Sequence, residues 1–431
     1  MVGANTIVTP TDFGNPVVRV TDSKTNPGVS DHQSFSVACS GSAEFNFMDS
    51  TETRFSLCDD SDNAVIFSWN AATMQAAVLY TVTANQLGNI YFSYTQPYTG
   101  YDLEMDGSDL AIYSYDFESA ATLPSRQLVV DLATCVPALA GKSFQWANDV
   151  TVSADDQTFA VPVSVSGGQG SNGAIYMIVW SRTNGCRVWN TKTGAVSGSW
   201  GTSGATGIPA FTLHNSRILK SGDWVRVDCQ NCKANAYFWN IATTTVTTPT
   251  DSTECGHQVS GFTLTANPCD SNSGLPEEWW SRTPTNPDSP TEVTPGPACA
   301  SGETWDQHAS WSNDATTLDS TPFLTSSYTN QFAPVCAWDN EIFAVAMDGS
   351  GTVWRFGHTF ASTSQASGFS ASEAIGSVSQ GGDWFAWVTD WDGLLGNTNL
   401  TSASCSISSN CRADVFIIKL PLSTAPPTLG P

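Results

Sequence analysis

The sequence predicts an all-β protein built from repeated four-stranded antiparallel units. Three observations carry that expectation. The first is periodicity. Short apolar or alternating runs rich in Val, Ile, Thr, Phe and Trp recur throughout, as in Ala174-Ile-Tyr-Met-Ile-Val-Trp180 and Trp384-Phe-Ala-Trp-Val-Thr389. They are separated by Gly, Asn, Asp and Ser, and no i, i+3, i+4, i+7 stripe of a dozen residues interrupts them. The second is a recurring hairpin, W-N-x-x-T, at Trp69–Thr73, Trp189–Thr193 and Trp239–Thr243, with a weaker copy at Val130–Thr134. A strand ending in an aromatic residue, then an Asn or Asp turn and Thr, is hairpin chemistry. The third is a second turn, out of phase with the first. Ser153-Ala-Asp-Asp-Gln-Thr-Phe159, Leu219-Lys-Ser-Gly-Asp-Trp-Val225 and Ser379-Gln-Gly-Gly-Asp-Trp-Phe385 align without gaps, and Met48–Phe55 is a looser copy.

Two hairpins per repeat make one four-stranded unit, and repeated units of that kind form a β-propeller, where radial packing protects the sheet edges. Seven blades are expected, at about 36–78, 79–140, 141–205, 206–250, 251–300, 301–358 and 359–420. The run Pro16–Asp22 has no partner hairpin beside it, and the last unit ends in one clear strand, Asp414–Lys419. The N-terminal strand, 16–22, is therefore expected to complete the last blade and close the ring, making residues 1–420 one domain. The Pro/Ser/Asp-rich segment from Cys269 to Cys299, with its Trp279-Trp280 pair, reads as a long surface loop. Residues 421–431 read as a linker stub toward a further module or anchor of a larger cell-surface protein.

Composition limits the function classes. Sixteen Lys and Arg against forty Asp and Glu give a net charge of −24. A nucleic-acid partner held through a basic face is excluded, because such binding draws on Lys and Arg at phosphates. No apolar run is long enough for a membrane span. The twelve cysteines are Cys39, Cys58, Cys135, Cys186, Cys229, Cys232, Cys255, Cys269, Cys299, Cys336, Cys405 and Cys411. In a Lys-poor, Ser/Thr-rich chain they are expected to form disulfides in a secreted, extracellular protein. Cys229-Gln-Asn-Cys232 has zinc-like spacing, but a second such pair is missing, so a hairpin disulfide is the better reading. The start, Met1-Val-Gly-Ala-Asn-Thr, has neither a basic nor an apolar leader region, and the expectation is a secretion signal already removed.

Only five His occur. His214, His257, His308 and His358 are spaced close to the blade period, and His32 falls outside it. His214 is expected at the start of an innermost strand, His257 and His308 open the next two units, and His358 lies on the connection into the last, so the four imidazoles would ring one mouth of the channel. Neutral imidazoles on one point suit a divalent metal such as Mn or Zn, with Gln307, Asp306 or Asn148 adding oxygen ligands. The alternative is that each His bridges blades by local hydrogen bonds. Calcium is a further candidate at the acid-rich turns Asp390–Gly393 and Asp59–Asp62, which otherwise read as hairpin tips. Trp279, Trp280, Trp305 and Trp311, with Trp391, fall in or beside expected loops, where aromatic faces would stack on sugar rings or anchor protein contacts; the alternative, favoured for any single Trp, is a core residue that repeats with the blades.

The repeats and turns resemble the Tol-B/YWTN-type seven-bladed propellers and a secreted bacterial propeller type. The His arrangement is similar to that of the propeller-type oligogalacturonate lyases, which hold a divalent metal with His and Gln from successive blades and use a nearby Arg or His as base. That resemblance implies His214, His257, Gln307 and His358 as ligands, with His308 as alternate ligand or base and Arg217 as base. Strand alternation opposes His214 and Arg217 sharing a face unless the strand is bulged. The implied chemistry is metal-assisted eliminative cleavage of an extracellular polysaccharide, the metal neutralising a uronate carboxylate and a base removing the adjacent proton. The net charge opposes an anionic polymer unless the mouth is locally positive. The alternative function is a non-catalytic glycan- or protein-binding module, which predicts exposed Trp and an empty channel.

Overall fold

A computed structural model describes the chain apart from residues 1–2, 11, 26–33, 40–43, 60, 83–88, 120–121, 136, 138, 145, 148–149, 166–174, 202–203, 210, 231–235, 251–257, 269–278, 295–304, 316–318, 330–337, 362–372, 397–410 and 422–431, and the side chains of 146–147, 214, 229–230, 268, 305–306 and 329. It is a seven-bladed propeller of antiparallel sheets, with no helix among the described residues.

The first blade pairs Phe35–Ser36, Arg54–Asp59, Ala64–Asn70 and Gln75–Val82 in chain order. Blade 2 uses Tyr91–Phe92, Thr99–Asp106, Asp109–Asp116 and Gln127–Asp131. Blade 3 opens on an interrupted first strand, Trp146–Ala147 and Thr151–Val152, both pairing with Thr158–Ser164, and continues through Ile175–Ser181, Gly185–Asn190 and Val196–Gly198. Blade 4 is Thr212–Ile218, Trp224–Gln230, Ala236–Asn240 and Val246–Thr247; blade 5 is Val259–Ser260, Thr265–Pro268, Trp279–Thr283 and Asn286–Thr294. Blade 6 is Trp305–Ser310, Phe323–Thr329, Glu341–Val345 and Val353–His358. In blade 7, Gly376–Val378, Trp384–Thr389 and Asp414–Lys419 are followed by two N-terminal strands, Val17–Arg19 and Thr6–Val8. The first strands of neighbouring blades touch one another, which places them around the axis.

The N-terminal strand closes the ring, with Val17 opposite Ile418 and Arg19 opposite Phe416. The joint is also polar. Asp414, fully buried, accepts from Arg19 at 2.5 Å, Arg412 at 2.6 Å and Thr21 at 3.0 Å. A carboxylate removed from water needs such charge-assisted partners.

The two sequence repeats have different meanings in the fold. The Gly/Asp turns at Asp49–Thr53, Ser153–Gln157, Leu219–Asp223 and Ser379–Asp383 all join the innermost strand of a blade to its second strand. The W-N-x-x-T turns do not share one position. Trp69 and Trp239 end third strands, whereas Trp189 ends the strand after that. What the copies share is local. Asn70, Asn190 and Asn240 each accept the backbone N–H three residues on. This is an Asx turn, which any hairpin can use.

Apolar packing lies in the seams between blades. Trp189 meets Trp239 across blades 3 and 4 at 5.5 Å, and Trp69 meets Trp384 across blades 1 and 7 at 5.1 Å. Trp279 meets Phe323 across blades 5 and 6 at 4.4 Å. This corrects the expected 269–299 surface loop. Within it, Trp279–Thr283 and Asn286–Thr294 are the outer hairpin of blade 5. Pro287 and Pro290 misled the reading, because proline is tolerated on a strand whose outer edge has no neighbour. The rest of that segment lies outside the described residues.

Disulfides join Cys39 to Cys58 and Cys135 to Cys186, and Cys411 is also disulfide-bonded. They are compatible with an oxidising, extracellular setting. The other seven cysteines lie outside the described side chains. No described helix is long and apolar enough to cross a membrane.

Candidate functional site

Among the described residues, the innermost turns fasten neighbouring blades to one another at five of the seven joints. Asp156 of blade 3 accepts Ser93 Oγ at 2.6 Å and Thr95 N–H at 2.8 Å from blade 2. Ala154 N–H donates to the Lys220 carbonyl at 2.8 Å, and Lys220 N–H to the Gly261 carbonyl at 3.1 Å. Asp314 and Asp319 of blade 6 accept the Phe262 and Thr263 N–H groups of blade 5. Glu52 of blade 1 accepts Gly381 N–H of blade 7 at 3.1 Å. A side-chain carboxylate or a carbonyl meets an N–H at these joints, so the repeated turn is the inter-blade fastening.

Inside that ring a described segment crosses the axis. In blade 1 the innermost strand stops at Ser36 and pairing resumes at Met48. The end of the inserted segment, Glu44-Phe-Asn-Phe47, lies in the middle of the ring. Asn46 donates to the Phe92 carbonyl of blade 2 at 3.0 Å. The Phe45 carbonyl accepts Ser312 of blade 6 at 3.2 Å and Ser377 of blade 7 at 2.8 Å. Glu44 reaches blades 4 and 5, accepting from Arg226 through both oxygens and from Ser260 N–H at 2.5 Å. A residue of blade 1 touches blades 4 and 5 only by crossing the axis.

Arg226 is fully buried. Its Nε donates to both oxygens of Asp228 at 2.9 and 3.0 Å, and Nη1 to Ser260 Oγ at 2.8 Å. Burial disfavours its charge, but the Asp228 and Glu44 carboxylates outweigh burial and hold its pKa above the ordinary arginine value. Beside Glu44 lies a cavity of about 20 Å³, lined by Arg217, Lys220, Tyr91, Tyr94 and Ser312 among others. That is room for about one water-sized group. Lys220 donates its ammonium to the Ser260 carbonyl. Burial brings its pKa down from 10.5 to about 8, opposed by the carboxylates of Asp314, Glu44 and Asp319. Burial pushes the Tyr91 phenol up to about 12 and raises Tyr94 as well. The two hydroxyls lie 3.2 Å apart.

Of the residues singled out in the sequence, Arg217 belongs to this site. It is buried, and its Nη1 donates to the Ser216 carbonyl at 3.0 Å. Its strand is bulged, with the pairing slipping between Leu213 and Asn215, so strict alternation does not run from 214 to 217. His214 sits at that slip, with its side chain outside the described residues, as is all of His257. His308 lies on the innermost strand of blade 6, buried, with Nε2 3.7 Å from Glu373 and its ring stacked on Tyr328. Gln307 is next to it on a regularly paired strand, so its side chain takes the opposite face, where Thr325 donates to it at 3.2 Å. The pair cannot hold one ion between them.

The structure places His358 away from the innermost strands, at the end of blade 6. It ends the outermost strand of blade 6, three strands from His308. At about 4.8 Å per strand that is roughly 14 Å from the inner strand. There it lies 3.8 Å from Asp12 and packs on Phe13 and Phe360. Among the described residues no three His, Cys, Asp or Glu side chains group as a metal site.

Among the tryptophans, the core alternative describes Trp279 and Trp311. Trp279 and Trp311 are fully buried, and Trp311 donates its indole N–H to the Thr321 carbonyl at 2.7 Å. Neither presents a face to a sugar. Trp280 is half-buried on its strand, and Trp305 begins the inner strand of blade 6 with its side chain outside the described residues. Trp391 is sandwiched between Phe360 and Phe416 at 4.4 Å on each side. Glu44, Tyr91, Tyr94, Lys220 and Arg226 were not singled out from the sequence. The one available signal was Lys220, a lone cation inside the aligned turn repeat.

Neither a family model nor a curated protein matches the sequence. Among solved structures, an oligogalacturonate lyase from Vibrio parahaemolyticus is similar with a TM-score of 0.59 over 98% of each chain, at 12% identity. A puromycin hydrolase variant gives 0.46 at 9% identity over 87% of this chain and 55% of that one. TolB from Acinetobacter baumannii gives 0.34 at 11% identity over 56% and 51%. At these identities the likeness is one of fold, and the last two are too distant to carry an argument.

Proposed function

We propose that this propeller acts on extracellular carbohydrate that carries carboxylates, and that the uronate carboxylate is read at the channel axis. The observation that carries the reading is the convergence of Arg217, Lys220 and Arg226 there, in a chain of net charge −24 with only sixteen Lys and Arg. Arg226 is paired with Glu44 and Asp228, and Asp314 and Asp319 lie near Lys220, so a uronate carboxylate would be held here by taking the place of one of these carboxylates. The whole-length likeness to a fold that hosts an oligogalacturonate lyase is consistent with that ligand class.

Eliminative cleavage is the reaction this charge arrangement would serve. Arginine stays protonated, so Arg217 would neutralise the carboxylate rather than act as base. Lys220, held near 8 by burial, is the better base. Its neutral amine would take the proton from the carbon next to the carboxyl group. The electron pair would form a carbon–carbon double bond as the adjacent C–O bond breaks. The leaving oxygen would draw a proton from the Tyr91–Tyr94 pair. The described residues assemble no ligand set, so no step is routed through a metal. A non-catalytic binding module is the second reading, and the small size of the cavity favours it.

Incubation with polygalacturonate and with a neutral glucan, read by the ultraviolet absorbance of the unsaturated product and by calorimetric binding, tests both. Product formed by the wild type and lost in Lys220→Met supports cleavage. Binding without product, weakened in Arg217→Gln, supports the module. Equal indifference to both polymers would remove carbohydrate from the reading.

A further inference from the structure

Glu44 is held as a ligand is held. Both its oxygens accept from Arg226, and Oε1 also takes the Ser260 N–H at 2.5 Å. A fork-on-fork guanidinium contact completed by a backbone N–H is a full set of partners for a free carboxylate. The groups that provide it are positioned without Glu44. Asp228 orients the Arg226 Nε, the Ser260 hydroxyl takes Nη1 at 2.8 Å and the Gln258 carbonyl takes Nη2 at 3.2 Å. All of these belong to blades 4 and 5, whereas Glu44 arrives from blade 1 across the axis.

The delivery is equally particular. The segment that carries Glu44 is inserted within an innermost strand and is tied at its base by the Cys39–Cys58 disulfide. Glu44 and Ser260 also line the cavity they share with Arg217, Lys220, Tyr91 and Tyr94, which continues the polar surface. Charge points the same way. Without Glu44, the buried Arg226 would keep Asp228 but lose its second carboxylate, while Lys220 would keep Asp314 and Asp319, and the donors left on Arg226 and Ser260 would suit an anion.

We propose that Arg226 and Ser260 form a carboxylate-binding cradle for an acidic ligand, occupied in this structure by the chain's own Glu44 as an internal stand-in. The proposal rests on the uronate reading above for the larger ligand, but not for the cradle itself. Ligand entry then requires the 44–47 segment to withdraw, and an external carboxylate competes with Glu44 for the same donors.

The test is rescue of the Glu44→Ala protein by small carboxylates. Sodium acetate and sodium galacturonate are titrated into wild type and variant, with sodium chloride and glucose as controls, and thermal unfolding is followed. The expected result is a saturable rise in the variant's midpoint with acetate and galacturonate, absent with the controls and much weaker in the wild type. If Glu44→Ala does not fold alone, recovery of folded protein on refolding with acetate counts equally in favour. Failure of acetate to restore it overturns the cradle, as does a folded variant indifferent to both carboxylates. Glu44→Gln, which keeps the shape and fills the cradle with a neutral group, should respond less than Glu44→Ala; an equal response would mean that the anion binds elsewhere. The two proposals fail separately. Response to acetate with no binding of polygalacturonate by either protein keeps the cradle and removes the uronate reading. Equal polygalacturonate affinity in wild type and Glu44→Ala keeps the uronate reading and removes Glu44 as its competitor.

Discussion

Replacing Lys220 by methionine should convert one buried charge into a measurable pH dependence. The ammonium is fully buried among blades 4, 5 and 6, and burial brings its pKa from 10.5 to about 8 against the pull of nearby carboxylates. A fall of about 2.5 corresponds to roughly 3 kcal/mol between the charged and neutral forms, at about 1.4 kcal/mol per pKa unit. The sign follows from proton counting. The unfolded chain keeps this proton up to its ordinary pKa, whereas the folded chain releases it near 8. Below that value both states are protonated and the folded state carries the whole cost. Between about 8 and 10.5 the unfolded state holds more protons, so folding stability rises with pH. Methionine has no such proton. Unfolding of wild type and Lys220→Met by denaturant, at about pH 7 and about pH 10, isolates the effect as a difference of differences. The wild type should gain on the variant by about 2 kcal/mol over that range. Curves that run parallel, or a gain by the variant, would refute the assignment of a neutral-leaning amine at the axis.

Three further outcomes are expected. Trp279→Ala should cost about 3–5 kcal/mol in denaturant unfolding, as a large buried side chain in the seam with Phe323 is removed; a variant of native stability that loses only glycan binding would return Trp279 to the surface role expected from sequence. Asp319→Ala should cost about 1–3 kcal/mol, because it leaves the Thr263 N–H, Thr263 hydroxyl and Leu264 N–H latch donors without their acceptor; an unchanged midpoint would dismiss the turn as a fastening. In elemental analysis after loading with manganese or zinc, His358→Ala should retain whatever metal the wild type retains, since His358 is on an outermost strand. Loss of metal in that variant would restore it to a ligand set.

The blades were legible because their signals are local and repeat. A hairpin needs only its own turn residues, so the Gly/Asp turns at 153–157, 219–223 and 379–383 could be aligned by eye, and they occupy one position in the fold. The W-N-x-x-T turns are equally local, and that is why they mislead about phase: the Asx turn at Asn190 closes a different hairpin from those at Asn70 and Asn240. The histidines expose a further limit. Their spacing near the blade period holds, but a period fixes the blade and leaves the radius open. His308 and His358 are fifty residues apart by number and stand on the inner and outer strands of the same blade. Trp279 looked like a loop residue because the next strand of its hairpin, Asn286–Thr294, carries Pro287 and Pro290 on the blade's outer edge; Trp311 directly follows an inner strand, where the turn residues after it resemble a loop. The axial cluster was illegible for another reason. Arg226 and Glu44 are separated by 182 positions and meet only once the ring is closed.

That dependence on closure bears on what the channel is for. Expectation offered either an open, water-filled channel or a His-lined pocket, and the described axis is neither. It holds buried charges whose partners come from other blades: Arg226 with Glu44, Lys220 with the Ser260 carbonyl, and Asp314 and Asp319 with the Phe262 and Thr263 N–H groups. Removing a charge from water is costly unless partners are supplied, and breaking such a pair leaves the survivor exposed to the full penalty. Each axial contact therefore reports on two blades at once, and Glu44 on blades 1, 4 and 5. A ligand that competed with Glu44 would change the inside of the ring as well as fill a site. Binding and blade cohesion would then be coupled through the same few atoms, which is why unfolding, rather than catalysis alone, is the sensitive readout for chemistry at this axis.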